Sequence, residues 1–134
     1  MSYYMARTVT GPFETVVADV VERLKAQGFG ILSDIDVQAT LKAKLGADMP
    51  PYRILGACNP SFAHQALQIE DKLGVLLPCN VIVRETADRR VEVASVDPVV
   101  SLGRTGNAAL ASTAEEVRRR LASAIEAVAS QPAR

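Results

Sequence analysis

The chain has no tryptophan, only three phenylalanines and three tyrosines, one histidine and two cysteines in 134 residues. So few aromatics leave little for bases to stack on, and fifteen basic against fifteen acidic residues leave no net field to attract a polyanion. Nucleic acid is therefore excluded as an expected partner. No segment approaches the ~20 consecutive apolar residues that span a bilayer, and Met1-Ser2-Tyr3-Tyr4-Met5-Ala6-Arg7 contains no apolar stretch suited to a signal-peptide core. These absences predict a cytoplasmic protein with no membrane partner. Thiols in that compartment are kept reduced, so Cys58 and Cys79 read first as free thiols and only second as a bridge. Motifs are missing too. There is no C-x-x-C, no G-x-S-x-G, no G-x-G-x-x-G and no Walker lysine spacing, which removes the short signatures of redox, hydrolase and nucleotide sites.

What is present fits one domain, residues 1–134, long enough to remove roughly two thirds of its unfolded surface from water without disulfides or a structural metal. The mean hydropathy, +0.12, is high for so short a soluble chain, and the excess apolar surface predicts a homodimer.

The pattern begins with a strand over Met5 to Val9. Gly11-Pro12 then opens a helix with Phe13, Val16, Val17, Val20 and Leu24 at helical spacing, closed by Gly28. Phe29, Ile31, Ser33, Ile35 and Val37 alternate as one face of a strand. Asp36 is suited to cap a short helix carrying Leu41 and Leu45 and ending at Gly46. Tyr52 to Ala57 reads as a strand, with Asn59-Pro60 starting a helix through Phe62, Ala63, Ala66 and Leu67. Gly74 to Val83 is almost continuously apolar and predicts a buried strand interrupted at Pro78. Arg84 to Arg90 then forms a hairpin loop, Val91, Val93 and Val96 a return strand, and Asp97-Pro98 a turn. A long final helix has Ser112 and Glu115 at capping-box spacing and Val117, Leu121, Ala124, Ile125 and Val128 on its apolar face. The hairpin predicts an α+β fold, a largely antiparallel sheet with helices packed on it.

The chemistry centres on two similar segments, Ile54-Leu55-Gly56-Ala57-Cys58-Asn59 and Val75-Leu76-Leu77-Pro78-Cys79-Asn80. Cys58 precedes a helix start, where unpaired N–H groups favour a thiolate if the side chain points there. Cys79 follows a proline whose missing donor disturbs local pairing. With His64, the only histidine, the two thiols make a Cys58, Cys79, His64 ligand set of the softness that suits zinc or copper. The bland alternative is two inert cysteines packed as small hydrophobes and a lone histidine. Asp34 and Asp36 share a strand face and are better explained as a polar face and a helix cap than as an acid–base pair. Leu102 to Asn107 reads as a turn and cap before a phosphate loop. The run Arg118-Arg119-Arg120 reads as a solvated helix face paired with Glu115 and Glu116.

These segments resemble the bacterial and archaeal domain-of-unknown-function family 302. The likeness runs from about Met5 to Ala129 and is carried by Gly28-Phe29-Gly30-Ile31-Leu32, Asp34-Ile35-Asp36-Val37, Tyr52-Arg53-Ile54-Leu55-Gly56-Ala57-Cys58-Asn59-Pro60 and Leu76-Leu77-Pro78-Cys79-Asn80-Val81. The resemblance implies a fold like that of the TATA-box-binding protein, without its DNA binding, and a tendency to form homodimers. It also moves Cys58 and Cys79 from inert packing toward a shared site.

Three functions follow as expectations. The first is a thiol-centred binding protein in which Cys58 and Cys79 hold a soft metal, a sulfur species or a redox equivalent, oriented by Asn59 and Asn80. The second is a module binding a small apolar ligand in a cleft between sheet and long helix, with the cysteines as lining. The third is a structural or assembly protein with no ligand. Nothing beyond a potential nucleophile points to catalysis.

Overall fold

A computed structural model describes residues 2–132. Five strands, β1 (Tyr4–Val9), β2 (Gly30–Asp36), β3 (Tyr52–Cys58), β4 (Cys79–Glu85) and β5 (Val91–Val96), form one antiparallel sheet in the order β1-β5-β4-β3-β2. The α+β architecture expected from the hairpin is the one observed. Among the described residues five α-helices accompany the sheet: α1 (Phe13–Ala26), α2 (Val37–Leu45), α3 (Pro60–Ile69), α4 (Pro98–Gly103) and α5 (Ala111–Ala127).

Alternation gives the sheet two unlike faces. Leu55 and Ala57 of β3, Val81 and Val83 of β4, and Val91 and Val93 of β5 point to one side and are buried in the main core. There they meet Val16, Val20 and Leu24 of α1 and Val117, Leu121 and Ile125 of α5, residues whose spacing makes one apolar stripe on each helix. A second, smaller cluster of Ala66, Leu73, Leu102, Leu110 and Ala114 gathers beside one end of the sheet, between α3, α4 and α5. Among the described residues, neither buried cluster draws on the opposite face of the sheet.

Local signals account for most boundaries. Gly28, at φ +90°, turns the chain out of α1, and Gly46, at φ +66°, ends α2. Asp36 caps α2 by accepting from the Ala39 N–H at 2.9 Å, and Asn59 caps α3 by accepting from the Phe62 N–H at 3.2 Å.

Four expectations need correction. The apolar run Gly74 to Val83 is not one strand: Leu73–Leu76 is a turn of 3-10 helix that buries Leu73 and leaves Val75 85% exposed, and β4 begins only at Cys79 after a cis Leu77-Pro78 bond. A continuous apolar run has no period with which to tell the two apart. The even face of β2 is broken by a register shift between Ile31 and Ser33, which moves Ile35 to the helix-free side. Asp34 then reaches the other side, where Arg53 Nε donates to its Oδ1 at 2.7 Å and Arg53 Nη1 donates to Glu14 Oε1 at 3.0 Å. The hydrogen bonds from Arg53 hold the Asp34 carboxyl below its ordinary range and keep it as the ionised partner of Arg53.

The capping box of Ser112 and Glu115 is unused, because a 3-10 turn at Ala108–Leu110, capped by Asn107 through the Ala109 N–H, already leads into α5. Asp97-Pro98 is a helix start as well as a turn: Asp97 Oδ1 accepts from Val99 N–H at 3.0 Å to cap α4. In the Arg118 to Arg120 run, Glu116 takes both Arg119 and Arg120, which hold its carboxyl down at about 2, while Arg118 Nε donates to Asp97 Oδ2 at 2.9 Å.

Asp97 is 4% exposed and serves a cap and an ion pair at once. Asp97→Ala is expected to lower unfolding free energy by about 1 to 3 kcal/mol in urea titration, through the lost cap and the unpaired groups left behind. A loss below about 0.5 kcal/mol would show that neither interaction contributes.

Candidate functional site

The ladder between β3 and β4 pairs Ala57 with Cys79, so Cys58 ends one strand beside the residue that begins the next. A close contact sets this register. Gly56 lies under Pro78, and a side-chain carbon on Gly56 would come within 2.7 Å of Pro78 Cγ and would also collide with Ser33 Oγ. Pro78 itself precedes the first ladder residue, so its missing donor costs the sheet nothing.

Both cysteines face a cavity of about 310 Å³ at this end of the sheet. Ala57 and Cys79 form its floor, Phe62 and Ala66 of α3 one wall, Leu73 and Leu102 another, and Val117 of α5 its back. Cys58 and Asn59 stand toward the mouth, where Leu32 and Leu67 are exposed by 68% and 39%. Apart from the thiols, the polar side chains on its walls are those of Asn59 and Thr113, and among the described residues no charged side chain lines it.

The sequence-derived candidates therefore divide. Cys58, Cys79 and Asn59 come together. Asn80 does not, because one step along β4 turns it to the opposite face of the sheet, where it is exposed. His64 does not either. The residues of α3 that line the cavity are Phe62, Ala63, Ala66 and Leu67, one helical face, and His64 lies exposed off that face. Among the described residues no group of three His, Cys, Asp or Glu is placed to hold a metal ion, so the Cys58, Cys79, His64 set is not assembled. Asn59 is occupied as the α3 cap, and its amide nitrogen packs over Gly28, where a side-chain carbon would approach within 2.9 Å.

The electrostatics differ from the helix-dipole expectation. Burial pushes the Cys58 thiol up, and pushes Cys79 up further, to about 11, with the neighbouring Cys58 charge adding to the shift. Burial acts on Cys58 without an offsetting hydrogen bond, and the Phe62 N–H at the helix end serves Asn59 Oδ1. At neutral pH Cys79 is therefore overwhelmingly the protonated thiol. Both groups are neutral thiols lining an apolar space, Cys58 the more accessible.

Sequence reasoning missed Leu73, Leu102, Thr113 and Val117 as cavity residues; they belong to three separate stretches of chain and carry no shared motif. The spacing of Phe62, Ala63, Ala66 and Leu67 was the one available signal for a wall.

Fold and site define a class: a five-stranded antiparallel sheet, backed by helices on one face, with a neutral thiol-lined cavity at one end of its central strands. The chain belongs to the family described as Domain of unknown function DUF302, which matches residues 5–128. Its fold is similar to the crystal structure of uncharacterized conserved protein DUF302 from Bacillus stearothermophilus, with a TM-score of 0.89 and 26% identity, covering 96% of this chain and 99% of that chain. No curated protein matches. Among the described residues no helix is long and apolar enough to cross a membrane.

Two outcomes follow from the geometry. Gly56→Ala is expected to cost about 1 to 3 kcal/mol in chemical denaturation, as overpacking against Pro78 does in a core, and an unchanged midpoint would show that Pro78 yields freely. Alkylation followed by mass spectrometry should find Cys58 slower than an unstructured thiol at neutral pH and Cys79 slower again. Because the thiolate reacts and both values are raised, both rates climb with pH, and that of Cys79 is still rising as pH nears 11. A rate for Cys58 that has already levelled off at about pH 6 would mean a depressed value and contradict this environment.

Proposed function

We propose that this protein binds a small apolar molecule in the cavity between β3, β4, α3 and α5, with Cys58 and Cys79 as the soft groups that meet it. One observation carries the reading: both thiols line a single cavity whose other walls are almost wholly apolar and uncharged. Its volume, about 310 Å³, lies at the lower bound of the ~300 to 1,000 Å³ range of ligand pockets, so the ligand is smaller than a nucleotide or a drug-sized compound. A charged ligand would lose its hydration with no counter-charge on the walls to replace it. A neutral ligand meets no such cost.

The thiol-centred alternative, in which the pair holds a soft metal such as zinc or copper, or a sulfur species, is favoured by the shared cavity and by the influence of the Cys58 charge on Cys79. It asks more of the site. A metal held by both sulfurs must displace protons from two thiols whose affinity for them is raised by burial.

Titration with a neutral fluorescent probe, N-phenyl-1-naphthylamine, separates the two. Ala66→Phe fills the cavity from its wall, and Leu67→Trp obstructs its mouth from a position already 39% exposed, so at least the second leaves the core intact. Both are expected to weaken probe binding by about tenfold or more, whereas the Cys58→Ser, Cys79→Ser double variant keeps it within about threefold. Probe binding that ignores both cavity variants sinks the apolar-ligand reading. Copper(I) or zinc that co-purifies with the parent protein and is lost from the double serine variant would establish the thiol-centred one instead.

A further inference from the structure

One turn of α5 beyond Val117, at the back of the thiol-lined cavity, Arg120 carries donors that the fold does not use. Its Nε donates to Glu116 Oε1 at 3.1 Å and its Nη1 to the Gln27 carbonyl at 3.3 Å, while Nη2 has no partner among the described residues. Asn59, which stands toward the mouth, is in the same state: its Oδ1 caps α3, and its Nδ2 donates to nothing among the described residues. No buried side-chain nitrogen of the described residues lacks a partner, so both of these unused groups open to solvent.

The two belong to one place. The position that a side chain would take on Gly28 is 2.9 Å from Asn59 Nδ2 and 3.4 Å from Arg120 Nη1, so the two oxygens of one carboxylate can span them. The Arg120 guanidinium also lies over the ring of Phe62, 5.1 Å from its centroid, and Phe62 is a wall of the cavity. Of the three consecutive arginines, Arg118 is turned to Asp97, whereas Arg119 and Arg120 share the single carboxylate of Glu116. One positive charge is left over beside the mouth.

We propose that the cavity takes a small amphiphilic monoanion, an alkyl or aryl carboxylate whose apolar body enters against α3 and whose carboxylate stays outside on Arg120 and Asn59. This inference rests on the apolar-ligand reading above and adds the end group that orients the ligand. The desolvation cost that bars a charge from the walls does not fall on one held at the mouth, where water and a guanidinium remain to it. A monoanion matches the one charge that Glu116 leaves unbalanced, and a phosphate monoester, with up to two, exceeds it. Size agrees with a short tail. At interior packing density a space of about 310 Å³ holds on the order of ten non-hydrogen atoms, roughly the body of an eight-carbon acid.

Displacement of N-phenyl-1-naphthylamine from the parent protein by octanoate, 1-octanol and octylamine varies the end group on a constant tail. Octanoate is expected to displace the probe at a concentration about tenfold or more below that of the alcohol, with the amine weakest and acetate inactive. Arg120→Gln should remove that preference while the probe and 1-octanol keep their affinities within about threefold and circular dichroism keeps the parent spectrum. Arg120→Lys, which keeps the charge and loses the planar fork, should retain part of it. Equal displacement of the probe from the parent by octanoate and 1-octanol overturns the carboxylate assignment and leaves the apolar cavity standing. A preference for octanoate that survives Arg120→Gln overturns it as well. Failure of all three to displace the probe, together with probe binding indifferent to Ala66→Phe and Leu67→Trp, overturns the cavity reading and this inference at once.

Discussion

Pro78 rests on Gly56 across the pairing of β3 and β4, and the arrangement of the candidate site follows from that contact. It needs a residue without a side chain on one strand and a ring that occupies the vacated space from the other. Once the two are seated, Ala57 is opposite Cys79 and the cysteines stand at adjacent strand ends. The 3-10 turn before Pro78 buries Leu73 against Ala66 and Leu102, which closes the cavity on the side away from the sheet. The two cysteine segments thus differ in role: one supplies the glycine, the other the proline that covers it, and each gives one residue to the floor.

Burial then decides the state of the thiols. A helix N-terminus favours a thiolate only where its N–H groups meet the sulfur, and the Phe62 N–H is directed to Asn59 instead. Without that donor, desolvation dominates and raises both groups, Cys79 the more because it is the deeper. The asymmetry expected between Cys58 and Cys79 survives in accessibility, while the depressed acidity expected for Cys58 does not. A neutral pair in an apolar cavity is chemically closer to a ligand-binding wall than to a nucleophile.

The sheet separates residues that the chain presents together. Cys79 and Asn80 are neighbours in sequence and lie on opposite faces, one in the cavity and the other on the open side. The shift between Ile31 and Ser33 has the same effect on β2: it turns Asp34 toward Arg53 and Glu14 on the helix side and Ile35 outward beside Ile54 on the other. One inserted residue in an edge strand therefore builds an ion-pair cluster on one face and apolar surface on the other.

The strands, the helices and their caps were legible wherever the signal is local. Asp36, Asn59, Gly28 and Gly46 act within a few residues of themselves, and α1 and α5 carry stripes whose spacing names their buried face. By itself the sequence determined the α+β class and marked Cys58 and Cys79 as the residues to follow. Tertiary structure decided the rest, because those outcomes depend on partners distant in sequence. Leu73–Leu76 coils instead of extending since Leu73 has a second core to enter, and the approach of Cys58 to Cys79 depends on strand pairing. His64 and Asn80 fall outside the site through the phase of a helix and the parity of a strand, and the thiols stay protonated because five separated segments exclude water and charge from the space between them.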